Sequence, residues 1–183
     1  MPDPAGRRPQ ARHGLIIVYT GDGKGKTTAA LGLLMRAAGR RMRVCMIQFV
    51  KSERGKWGET RAAQQLEIEW HQMGDGFTWN SKDLEETSAK ARQAWEFAQD
   101  KILNGGYDLI VLDEFTYPLA LGWLETEAVI DWLKLHRPEK LHLVITGRGA
   151  PAELVEYADL VTEMKAVKHP FEKGVKAQAG IEF

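Results

Sequence analysis

The stretch from Thr20 to Thr28, TGDGKGKTT, constrains the fold of this chain more than any other. Directly before it lies Leu15 to Tyr19, a short apolar, β-branched run with the look of a strand buried on both faces. Directly after it a helical pattern opens with Ala29 and Ala30. A glycine-rich turn between a buried strand and a helix is the setting of a phosphate-binding loop. The glycines let backbone N–H groups point inward, and the helix N-terminus adds partial positive charge where a polyphosphate sits. In that reading Thr20, Gly21, Asp22, Gly23, Lys24, Gly25, Lys26, Thr27 and Thr28 form a nucleotide-binding loop, in which Lys26 neutralises phosphate oxygens and the Thr27 hydroxyl binds Mg²⁺. Against the pattern G-x-x-x-x-G-K-[ST], Thr20 takes the first glycine position, and Gly23 and Lys24 are additions within the loop. A glycine-rich turn with exposed lysines remains the alternative for the loop taken by itself.

The rest of the chain repeats the alternation of strand and helix. Strand-like runs recur at Val44 to Val50, Leu109 to Leu112, Leu141 to Ile145 and, more weakly, Leu160 to Thr162. Helical spacing covers Thr27 to Ala38, Lys82 to Leu103, Glu125 to Leu135 and Ala152 to Ala158. In the second of these, Leu84, Ser88, Ala91, Trp95, Ala98 and Ile102 fall on one face. The expectation is an α/β fold, a mainly parallel sheet flanked by helices, with a P-loop NTPase (RecA-like) architecture. Residues 1–14, rich in Pro and Arg, are expected to form a flexible arm and residues 15–183 a single P-loop α/β domain. In such sheets ligands bind beyond the carboxyl ends of the strands, so the loops after residues 19, 50, 113 and 146 should converge on one site.

Two of those loops carry further chemistry. Asp108 to Glu114 is an apolar run ending in two carboxylates, Asp113 and Glu114, an arrangement that supplies a metal ligand beside a P-loop and otherwise serves as a helix cap. Thr146 to Gly149 sets Arg148 between glycines, where it reaches phosphates bidentately or lies on a surface turn. A third feature is aromatic. Met73 to Trp79, MGDGFTW, is a long loop in which Phe77 and Trp79 stand near glycines, an arrangement suited to a flat apolar ligand. Most of the other tryptophans, Trp57, Trp70, Trp95, Trp123 and Trp132, belong in a core.

Composition narrows the partners. Lys and Arg total 25 against 25 Asp and Glu, so no electrostatic footprint for nucleic acid or an acidic membrane is expected, and a polyanion must bind at a local site. The single cysteine, Cys45, excludes a disulfide framework and a zinc site built on cysteine pairs, and suggests a reducing, cytoplasmic setting. No stretch reaches the roughly 18 to 20 apolar residues of a membrane helix.

Taken together, TGDGKGKTT at Thr20 to Thr28, QFVK at Gln48 to Lys51, GFTW at Gly76 to Trp79, VLDEFTY at Val111 to Tyr117, ITGRG at Ile145 to Gly149, VKHPF at Val167 to Phe171 and the tail from Gly174 to Phe183 resemble the ATP:corrinoid adenosyltransferases with a P-loop fold. The resemblance implies transfer of the 5′-deoxyadenosyl group of ATP to the Co(I) of a reduced corrinoid, forming adenosylcobalamin or its precursor and releasing triphosphate. The nucleophile is then the substrate's cobalt, and the protein positions the reactants and stabilises the leaving triphosphate. Carried onto this chain, the resemblance gives Lys26, Phe77 and Trp79 the catalytic roles. Residues Thr20 to Thr28 and Arg148 bind nucleotide, Thr27 and Glu114 hold Mg²⁺ or Mn²⁺, and Asp113 and Lys51 support them. Phe77 and Trp79 would pack at the lower corrin face and exclude its axial ligand. His169 is expected to make a structural hydrogen bond, because a histidine on cobalt would oppose formation of Co(I). The resemblance also implies an electron donor such as a flavoprotein or flavodoxin, a homodimer, and an arm that can cover the site. Asp22 stands where relatives often carry Asn. A P-loop small-molecule kinase or ATPase is the alternative enzyme, and a corrinoid carrier the alternative binding module.

Overall fold

The computed structural model of the chain describes residues 13–51, 58–74 and 84–181. In chain order the elements are β1 (Ile16–Thr20), α1 (Lys26–Ala38), β2 (Val44–Gln48), α2 (Gly58–Gln65), β3 (Glu69–Gln72), α3 (Leu84–Asn104), β4 (Leu109–Asp113), α4 (Thr116–Ala120), α5 (Thr126–His136), β5 (His142–Thr146), α6 (Ala152–Tyr157), β6 (Leu160–Glu163) and a 3-10 turn at Pro170–Lys173. The six strands form one sheet in the order β3-β2-β4-β5-β1-β6, and every neighbouring pair is parallel. All carboxyl ends therefore lie along one edge, and the loops leaving β1, β2, β4 and β5 open there together.

Each apolar run expected to be a strand is one, while β3, α2 and α4 are additions. β3, sequence EWHQ, has no apolar run to reveal it, and all four residues are half-buried at the sheet edge, in register with Cys45 to Gln48 of β2. α2 is largely polar and buries only Ala63. α4 is a five-residue turn of helix around Pro118, set by the chain leaving β4.

Alternation along β1 divides the core. Ile16 and Val18 join Cys45, Ile47, Ile110, Leu112, Leu143 and Ile145 on one face. There α3 lays down Trp95, Ala98 and Ile102 of the stripe its spacing demands, together with Ala94, and α5 and α6 add Leu133 and Leu154. Ile17 turns to the opposite face, where Ala30, Leu34 and Ala37 of α1 pack on Val44, Met46, Val111 and Val144. Of the tryptophans, Trp95 is buried against Phe115 and Trp132, with ring centroids 5.1 and 5.4 Å away. Trp70, Trp123 and Trp132 are only half-buried, and Trp57 lies outside the described residues. Cys45 is fully buried, and burial, with the nearby Glu69 charge, pushes its thiol up to about 12, so it is inert at neutral pH. No described helix is long and apolar enough to cross a membrane.

Candidate functional site

The loop after β1 is shaped by what lies beneath it. Gly21 and Gly25 take φ of +94° and +119°, conformations that glycine reaches without a Cβ clash. A Cβ on Gly21 would stand 2.5 Å from the Met164 carbonyl oxygen, and one on Gly23 would stand 2.7 Å from Lys165 backbone. The chain leaving β6 thus forms a floor under the loop, and Gly23 N–H donates to Met164 O at 2.6 Å. Thr20 ends β1, and its hydroxyl accepts the Ala150 N–H at 3.2 Å. A side chain at the usual first glycine position therefore ties the loop to the segment after β5 and lies outside the cleft lining.

Lys26, at the first residue of α1, is 7% exposed. Its Nζ donates to the carbonyls of Gly21 and Gly23 at 2.8 and 2.9 Å, fixing the ammonium inside the loop. Burial pulls its pKa below the ordinary range, with the Glu114 charge opposing and the Arg148 charge adding to the drop. Asp22 is exposed on the loop and supplies opposite charge to Lys26, which offsets part of that drop.

Asp113, fully buried at the end of β4, is an acceptor hub. Its Oδ1 accepts from the Thr27 hydroxyl at 2.9 Å and from the Thr146 hydroxyl at 2.6 Å, and its Oδ2 accepts from Gln48 Nε2 at 2.9 Å. Because Thr27 gives its proton to Asp113, the lone pairs of its oxygen are left for a cation. Glu114 follows at φ +61°, a left-handed conformation costly for any residue with a Cβ, and its N–H donates to Thr146 Oγ1 at 3.0 Å. Its Oε2 is buried without a hydrogen-bond partner. Burial and the neighbouring Asp113 push the Glu114 carboxyl up to about 7, while Lys26, Lys51 and Arg148 pull the other way. Hard oxygen donors, one of them an orphan, fit a small divalent cation better than any soft metal.

These groups border a cleft of about 690 Å³ that takes in residues 22–28 of the loop together with Lys51, Glu114 and Arg148. Lys51 reaches it while paired with Glu59 at 2.7 Å. Arg148 is exposed and held by its own backbone, since the Thr116 hydroxyl donates to Arg148 O at 2.6 Å. Asp113 lies behind the lining. Phe77 and Trp79 lie outside the described residues.

The cleft also includes Leu31, Tyr117, His169, Gly180 and Ile181, which motif reading did not single out as ligand contacts. Tyr117 was visible only as the last letter of VLDEFTY, and its hydroxyl is held above its ordinary pKa by burial and by Glu114. His169 does make the expected structural hydrogen bond, its Nδ1 accepting Phe171 N–H at 3.2 Å, yet it stands at the cleft as well. The remaining histidines are surface or locally satisfied groups: His13 is exposed, His142 accepts from Leu15 N–H, and His136 contacts the Trp132 carbonyl. His71 lies with Cys45 and Glu69 in a cluster whose donor atoms fall within 4.8 Å of one another. There Glu69 is already bonded by Lys101 at 2.6 Å, by His71 at 2.8 Å and by Tyr107. The Lys101 ammonium already occupies the carboxylate, so the cluster is an ion-pair network rather than a metal centre.

Comparison with known proteins agrees with the geometry. The family model for ATP:corrinoid adenosyltransferase BtuR/CobO/CobP matches residues 12–183. The chain is similar to a corrinoid adenosyltransferase of Escherichia coli K12, with 41% identity over 95% of this chain and 88% of the relative. Against a corrinoid adenosyltransferase of Pseudomonas aeruginosa it shows 42% identity over 95% of this chain and 87% of the relative. Among solved structures, the flagellar accessory protein FlaH of Methanocaldococcus jannaschii shares the fold, with a TM-score of 0.57 and 10% identity, covering 83% of this chain and 71% of that one.

Proposed function

We propose that this chain, which belongs to the ATP:corrinoid adenosyltransferase BtuR/CobO/CobP family, binds the triphosphate of ATP in the loop between β1 and α1 and turns the 5′ carbon toward a reduced corrinoid. The chain is an enzyme, and its reaction is transfer of the 5′-deoxyadenosyl group of ATP to Co(I) of the corrinoid, with release of triphosphate. The family assignment favours this reaction over the kinase or ATPase alternative.

The observation that carries the site assignment is the convergence at one cleft of the buried Lys26, an arginine from the loop after β5, and oxygen donors from α1 (Thr27) and from the residue after β4 (Glu114). Lys26, the loop amides and Arg148 meet the charge that grows on the departing triphosphate, and they do so without reorganising, because Lys26 is already anchored by two carbonyls. Thr27 and Glu114 would hold Mg²⁺ or Mn²⁺, with Asp113 orienting Thr27 and Lys51 standing by. The bound cation would neutralise triphosphate charge. The Glu114 orphan oxygen and the Thr27 lone pairs support that assignment.

The corrin is assigned to Phe77 and Trp79, whose rings would deny the cobalt a lower axial donor and so ease reduction of Co(II). A flavoprotein or flavodoxin would supply the electron. Residues 15–183 would act as one domain, with residues 1–14 closing over the site, in a homodimer working in the cytoplasm.

The test is anaerobic incubation with ATP, Mg²⁺ and chemically reduced cob(I)alamin, following corrin absorption and assaying the phosphate products. Light-sensitive adenosylcobalamin is expected in step with triphosphate. ADP or phosphate without a cobalt–carbon product would overturn the reading.

A further inference from the structure

His169 opens a segment whose packing does not explain it. Pro170 starts the 3-10 turn and Gly174, at φ +71°, ends it, yet the turn buries none of its own residues. Phe171 is 77% exposed. The backbone hydrogen bonds of the turn, Glu172 N–H to His169 O, Gly174 N–H to Phe171 O and Val175 N–H to Pro170 O, are all internal. A turn that packs so little adds little to stability. It does fix one ring: His169 Nδ1 accepts the Phe171 N–H at 3.2 Å, as an N-cap side chain does. A ring nitrogen that accepts carries no proton, so the neutral imidazole holds its proton on Nε2. That Nε2–H has no hydrogen-bond partner among the described residues, and His169, half-buried, lines the same cleft as Lys26 and Arg148.

We propose that His169 is a substrate-contacting residue that donates its Nε2–H to a triphosphate oxygen of ATP, closing from the C-terminal side a cradle otherwise built by the loop and Arg148. The inference rests on the reading of this cleft as the ATP site. A neutral donor suits the position. Lys24, Lys26, Lys51 and Arg148 already line the cleft and supply its positive charge. An N–H held in one tautomer adds direction instead of charge.

Two substitutions separate donating from capping. His169→Asn keeps a side-chain acceptor for the Phe171 amide but has no group at the Nε2 position, whereas His169→Ala loses both. Inorganic triphosphate with Mg²⁺, titrated calorimetrically into the full chain, should bind about tenfold more weakly to both variants, the loss expected when a hydrogen bond to a charged group is removed. KM for ATP should rise by a similar factor, while the thermal midpoint and the affinity for adenosine stay as in the parent protein. A His169→Asn variant that binds triphosphate as well as the parent would reduce the residue to a turn cap and overturn the proposal. So would a loss confined to adenosine. Lys26→Ala serves as the reference that must lose triphosphate binding. If the parent protein itself takes up no triphosphate, the cleft reading fails, and His169 falls with it for that separate reason.

Discussion

Glu114 combines two costs at one residue, a left-handed backbone at φ +61° and a buried oxygen without a partner. Neither benefits the empty protein, so the apoprotein should gain when the charge is removed. The carboxyl titrates at about 7 in the folded chain against an ordinary 4.5. Between those values the folded state holds the proton that the unfolded state has released, and stability falls as pH rises from 4.5 to 7. Glu114→Gln removes that dependence. Its apoprotein should unfold at higher denaturant than the parent at pH 8, by up to about 3 kcal/mol, and should match it near pH 4. The same variant should lose divalent-cation affinity and turnover. A variant less stable at pH 8 would mean that a partner already offsets the charge. The other assigned residues follow from adjacency in sequence, since Lys26 and Thr27 share a loop and Asp113 and Glu114 share a strand end. Tyr117, His169 and Gln48 do not, because their roles arise only where separate segments meet in space.

At the level of elements, the joint between β5 and α4 holds Arg148 over the cleft. Gly147 has φ +141°, and a Cβ there would fall 2.1 Å from Thr116 Oγ1, the atom that donates to Arg148 O. Gly147→Ala should therefore cost about 1–3 kcal/mol in a denaturant titration and raise KM for ATP by moving Arg148. The far edge offers a contrasting case. Burial alone would raise the Glu69 carboxyl, but hydrogen bonds from Lys101, Tyr107 and His71 outweigh it and hold it at about 2. A depressed carboxyl contributes stability that is complete above its ordinary 4.5 and is lost as pH falls toward 2. Glu69→Gln should lower the melting temperature at pH 7 and flatten the acid-side decline between those values. An unchanged acid profile would mean that the network joining β3 to α3 and Tyr107 adds nothing. The same edge shows why legibility stops where it does. The central strands announce themselves as continuous apolar runs because both their faces are covered, whereas β3 is polar, half-buried and specified by its register with β2. The aromatic loop was legible only as glycines beside rings, a pattern that names a ligand class and not a position.

Across the whole molecule, a stiff parallel sheet presents four loops at one edge, and a C-terminal segment approaches the same edge with far weaker anchoring. The Met164 N–H still bonds to the Thr20 carbonyl at 2.8 Å. Beyond it, the backbone hydrogen bonds among the described residues run within the tail itself, as from Val167 N–H to Lys165 O and from Ile181 N–H to Gln178 O. Val167, Phe171 and Ile181 are 93%, 77% and 70% exposed. Few buried contacts and only local hydrogen bonds place such a segment at the low end of local stability. The strands β1, β4 and β5, fully paired and covered on both faces, sit at the high end. His169, Gly180 and Ile181 nevertheless border the cleft proposed for the nucleotide, so a ligand there touches the softest and the stiffest parts of the chain at once. A ligand that binds only the folded state at a hundred times its dissociation constant stabilises it by about 2.7 kcal/mol, and the local share of that gain should appear where the structure has most freedom to lose. Hydrogen exchange should therefore show residues 165–181 exchanging fast in the free protein. On addition of ATP and Mg²⁺ they should slow together with residues 20–28, while β3 and α3 stay unchanged. Protection confined to residues 20–28 would mean that the tail borders the cleft without engaging the nucleotide, and the site would end at Arg148.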